Sequence, residues 1–133
     1  MKTELFWLTL TTTMTALFWL PYVLNRIAEN GVWGALQNPN FDEPPKAQWA
    51  GRMMHAHTNA VENLVIFAPL VLMLSLTGMS TSATSGASAM YFFVRAAHFV
   101  IYSSGVPFFR TVLFLAGFVA QMTVALTLFR VIG

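Results

Sequence analysis

The sequence predicts an all-α integral membrane protein, an up-down bundle of four transmembrane helices in a single domain spanning residues 1–133. Composition and patterning together predict it. Hydrophobic residues make up 56% of the chain and Asp, Glu, Lys and Arg only 9%, where soluble domains carry roughly 25% charged residues. Apolar runs recur along the chain, the longest of them exceeding the roughly 20 residues needed to cross the hydrocarbon core. The breaks between them are rich in Gly, Pro, Ser and Thr.

The first run, about residues 5–28, is too long for the apolar part of a cleaved signal peptide, and no small-x-small cleavage site follows Trp19. Pro21 falls inside it and predicts a kink, because proline lacks an N–H and its ring opposes the preceding turn. From Glu29 to Lys46 the Asn38-Pro39 and Pro44-Pro45 steps mark a long polar connection. The second helix follows over about 47–76. Thr77 to Ser88 is uncharged and dominated by Ser, Thr and Gly, which reads as a flexible turn. A third helix is expected over about 89–103. The short break through Gly105 makes the next helix an antiparallel neighbour, and Pro107 suits the first turn of the fourth, over about 107–131. Basic residues gather where the first and third connections lie: Arg26, Lys46, Arg52, Arg95 and Arg110, against Lys2 and Arg130 at the other end. The positive-inside rule then puts the first end and the long loop in the cytoplasm.

Polar residues inside these runs carry the functional signal. An ionisable group in hydrocarbon costs at least about 2.5 kcal/mol and normally faces the bundle interior or a cavity. At helical spacing Gln48, Arg52, His55, Asn59 and Glu62 share one face of the second helix, whereas His57 points elsewhere. On the third helix Arg95, His98 and Tyr102 share a face. Arg110 opens the fourth helix, where the macrodipole already favours an anion. A guanidinium fork suits carboxylates, so Arg52, Arg95 and Arg110, with Asn59 and Tyr102, form the walls of a site for a polar anion. Singly, each polar residue could equally serve to bind helices together. Glu62 with Arg95 is then the natural structural pair, Gln121 a packing residue and His57 an interhelical one.

Several classes are excluded or disfavoured. The chain has no cysteine, so any reactive thiol comes from a ligand. A net charge of +2, with scattered basic residues, does not make a nucleic-acid surface. His55 and His57 lie two apart on a helix and do not form the i, i+4 pair of helical zinc sites, so no metal is expected.

These residues carry a resemblance. The runs Arg52-Met-Met-His-Ala-His-Thr-Asn59-Ala-Val-Glu62-Asn-Leu, with Phe67-Ala-Pro-Leu, and Arg95-Ala-Ala-His98-Phe-Val-Ile-Tyr102, then Gly105-Val-Pro-Phe-Phe-Arg110-Thr, resemble the signatures of the MAPEG family, membrane-associated proteins in eicosanoid and glutathione metabolism. The Tyr22–Arg26 segment, Tyr-Val-Leu-Asn-Arg, resembles its short bacterial members. The resemblance implies a homotrimer in a bacterial inner membrane that binds glutathione between subunits and accepts a lipophilic electrophile or lipid hydroperoxide from the bilayer. It implies glutathione contacts at Arg26, Arg52, His55, Asn59, Glu62, Arg95, His98 and Tyr102, and thiol activation by Arg110. Two departures stand out: His55 replaces a second arginine that pairs with a glutathione carboxylate, and Gly51 replaces an acidic residue. They keep open a noncatalytic lipid- or thiol-binding scaffold. A small four-span transporter using Glu62 is the remaining alternative.

Overall fold

The computed structural model describes residues 2–40 and 42–132. Among these there are helices and connections but no strand: α1 (Thr3–Leu17), α2 (Trp19–Leu36), α3 (Gln48–Thr77), α4 (Ser82–Ser104) and α5 (Pro107–Leu128). α1 and α2 are two parts of one bent rod. Pro21 offers no N–H to Leu17, one turn back, and its ring crowds that carbonyl. The break falls at Phe18, whose N–H reaches only to the Thr15 carbonyl at 3.2 Å. Its backbone stays right-handed helical (φ −63°, ψ −20°), so the chain bends without reversing. Four rods result, of which α3 and α5 are each long and apolar enough to cross a membrane.

The first rod runs to about residue 30, where Gly31 leaves helical geometry (φ 74°, ψ 171°) and kinks the chain into a short helical segment that ends at Leu36. The third rod starts at Ser82 rather than near Ala89, so much of the Ser/Thr/Gly stretch is helix and not flexible turn. The reason is a reciprocal cap: the Thr84 N–H donates to Thr81 Oγ1 at 3.1 Å and the Thr81 N–H donates to Thr84 Oγ1 at 2.8 Å. Low complexity hid a helix start that hydroxyl groups specify.

The start of α3 is capped from a distance. Ala47, its N-cap residue, has no side chain able to accept a hydrogen bond. Glu29 supplies the acceptor, taking the Lys46 N–H at 2.8 Å and the Ala47 N–H at 3.2 Å, while Asn25 donates to the same carboxylate at 2.6 Å. The Lys46 N–H above all, then the Asn25 amide, hold the Glu29 carboxyl below its ordinary range. An anion at a helix N-terminus also complements the macrodipole.

α4 packs against α1, α3 and α5; α3 also contacts α1, α2 and α5. One apolar core joins Leu8, Phe67, Val71, Leu74, Tyr91, Ala120 and Val124, and a second joins Phe18, Ala56, Ala60 and Phe99. Small alanines let α3 approach its neighbours, and aromatic pairs fill the space between them. Phe18 stacks on Phe99 at 3.7 Å and Phe67 on Tyr91 at 3.8 Å. At the end opposite Glu29, Glu4 is almost wholly buried, and its carboxylate accepts from the hydroxyls of Ser80, Thr84 at 2.9 Å and Ser85 at 3.0 Å. This knot fastens α1 to the start of α4.

Candidate ligand site

The turn between α4 and α5 gathers two of the expected cations. Arg52, in the second turn of α3, donates from Nε to the Ser103 carbonyl at 2.9 Å. Carbonyls in the last turn of a helix lack intrahelical partners, and the negative dipole end there favours a cation. The guanidinium leans on Gly105: a Cβ at that position would meet Arg52 Cζ and Nε at 3.1 Å. Gly105 also ends α4 in the left-handed conformation (φ 81°), so glycine answers both a steric and a conformational demand. Arg110, in the first turn of α5, lies with Cζ 4.9 Å from the Tyr102 ring centroid, a cation–π contact. The Tyr102 ring in turn sits 5.7 Å from that of His98. Arg52, Tyr102 and Arg110 therefore converge on one end of the bundle, with His98 behind them.

A more buried layer lies further along α3 and α4. Arg95 is 2% exposed and donates from Nη2 to Asn59 Oδ1 at 2.6 Å. Asn63 donates to the same oxygen at 3.3 Å, and Gln121 on α5 donates to Asn63 Oδ1 at 3.4 Å and to its carbonyl at 3.3 Å. A line of amides thus crosses from α5 through α3 to the guanidinium on α4. It ends unfinished. Arg95 Nε and His98 Nδ1 are buried without a hydrogen-bond partner, and the Tyr91 hydroxyl has only the Gln121 amide beside it. All three residues lie on one face of α4, although buried polar atoms are paired in the great majority of cases.

The remaining expected site residues lie apart from this interior. Glu62 does not pair with Arg95; it is exposed on the outside of α3 and lines a surface cavity of about 210 Å³ with His57, Thr58 and Val61. Asn59 takes the guanidinium instead, and among the described residues Arg95 meets no carboxylate. His55 is exposed on the same helix. Arg26 turns to its own connection, donating from Nη2 to the Gln37 carbonyl at 3.0 Å. His57 belongs to the contact with the first rod, where its Nδ1 lies 2.7 Å from the Tyr22 hydroxyl and its ring meets Phe18 edge-on. Two residues of the buried layer were not singled out from the sequence: Tyr91 and Asn63. Both carried a signal, since Tyr91 lies one turn before Arg95 and Asn63 one turn after Asn59 on the same faces. Gln121, expected as a packing residue, is 3% exposed and joins the amide line.

Chemically, this end of the bundle offers fixed positive charge from three arginines and unfilled hydrogen-bonding capacity. No group of three or more His, Asp or Glu side chains among the described residues is placed to hold a metal ion. A family model described as the MAPEG family matches residues 5–130, nearly the whole chain. No curated protein and no solved structure matches it.

Proposed function

The chain belongs to the MAPEG family, a membrane family associated with glutathione, and from that premise we propose that it is a glutathione-dependent membrane transferase or peroxidase. The observation that carries this reading is Arg95: a cation 2% exposed, with an unpartnered Nε and no carboxylate among the described residues to balance it. A buried charge without a counter-charge is strongly unfavourable. An anionic ligand supplies what the fold omits, and glutathione brings two carboxylates and a thiol. In this reading Arg52, Asn59, Arg95, His98 and Tyr102 hold its peptide part. Arg110 stands in the first turn of α5, where the guanidinium and the helix N-terminus together favour thiolate over thiol. The thiolate then attacks a lipophilic electrophile, forming a C–S bond as the leaving group departs. With a lipid hydroperoxide it attacks the O–O bond, releasing the alcohol and a sulfenic acid that a second glutathione converts to disulfide and water.

His55 and Glu62 complete the reading at the scale of the assembly. Polar groups exposed mid-helix on an apolar rod are costly against lipid, and a second copy that covers them removes that cost. We therefore assign them, with Arg26, to a site shared between the subunits of a homotrimer. All four rods cross the membrane, a bacterial inner membrane in this reading, with the Arg52 end cytoplasmic.

Thermal shift of the purified protein with glutathione and its S-alkyl derivatives, run beside turnover assays, tests the proposal. Stabilisation by these ligands is expected, with transferase or peroxidase turnover lost in Arg110→Ala and tighter binding in His55→Arg. No shift with any thiol, and turnover indifferent to Arg110→Ala, would overturn it. Ligand stabilisation without turnover would leave the scaffold reading standing in its place.

A further inference from the structure

The end of α2 exposes apolar surface at a place that the bundle itself does not cover. After Gly31 turns the chain with φ 74°, residues 32–36 present Val32 at 60%, Trp33 at 78% and Leu36 at 70% exposure. This is no loose tip. Its base is fixed from both sides: Arg26 holds the Gln37 carbonyl that follows it, and Glu29, just before it, holds the Lys46 and Ala47 N–H groups at the mouth of α3. The clamps set the segment level with the first turn of α3, and so at the end of a helix long enough to cross a membrane. At 30 residues that helix is longer than the hydrocarbon core, so its end reaches the headgroup region or passes it.

Three large apolar side chains in five residues are a poor surface for water. Tryptophan at that depth is the residue type that membrane interfaces favour. We propose that Val32, Trp33 and Leu36 form an interfacial paddle seated among phospholipid headgroups at the Arg52 end of the bundle. The paddle depends on the chain lying in a bilayer and not on the thiol chemistry.

Because the chain has no cysteine, a nitroxide at Val32→Cys, or separately at Leu36→Cys, is a unique label in the full-length protein. The probe environment is a vesicle of phosphatidylcholine with phosphatidylglycerol. Collision with oxygen, which partitions into lipid, is expected to exceed collision with a water-soluble nickel chelate at both positions. Trp33→Ser should lower that ratio several-fold. Preference for the nickel chelate at both positions would show an aqueous loop and overturn the proposal. Low collision with both reagents, together with spin–spin broadening between copies, would overturn it in favour of a subunit contact.

Discussion

Arg95 enters the bundle with its charge and only a neutral amide to meet it, and that imbalance leads to opposite expectations for two substitutions. Arg95→Met removes the unbalanced cation while keeping the unbranched stem. The ligand-free protein should keep or raise its melting temperature, by up to about 2 kcal/mol of stability, while losing thermal stabilisation by S-alkyl glutathione. Asn59→Ala keeps the cation and takes away its acceptor, and should cost about 1.5–3 kcal/mol in detergent melts. A lower melting temperature in Arg95→Met would show that the guanidinium is structural. The stripe of Arg95, His98 and Tyr102 was legible because helical spacing alone sets it. The choice of Asn59 over Glu62 as partner was not. Those two positions stand about 60° apart around the same helix, and the rotation that selects between them comes from Ala56 and Ala60 seating α3 against the second core.

Helix ends are where the sequence was least legible, because caps here are made by residues distant in the chain or hidden in low complexity. Thr81 and Thr84 start α4 inside a stretch that composition reads as linker, and Thr81→Ala should cost about 1 kcal/mol, read as increased hydrogen exchange confined to the first turn of α4. Glu29 caps α3 across 17 residues of chain. Its carboxyl is held below the ordinary range, so its contribution is fully present above the unfolded carboxyl's pKa and is lost as pH falls through the lower folded one. Hydrogen exchange at Lys46 and Ala47, corrected for intrinsic rates, should therefore stay protected to below the ordinary carboxyl range. It should then open, and in Glu29→Gln be open at neutral pH. The kink at Phe18, by contrast, was legible from Pro21, since a missing N–H acts locally whatever packs around it.

At the scale of the molecule, the four-rod architecture followed from apolar length, and the location of charge followed from the order of the rods. What the single chain could not disclose is what covers His55 and Glu62, because that surface faces outward. The proposed trimer predicts that native mass spectrometry from detergent gives three copies, and that a Glu62→Lys charge reversal shifts the distribution toward monomer without unfolding the chain. Glu29 has a consequence at this scale too. Its bonds to Lys46 and Ala47 bridge the longest excursion of the polypeptide, so the excursion itself does not hold the first rod in place. A chain severed between Glu43 and Pro44 should remain one molecule, its two fragments joined by that carboxylate and by the packing of α1 on α3 and α4. Two separately translated pieces should find one another in the membrane, which makes the protein divisible where it looks most continuous.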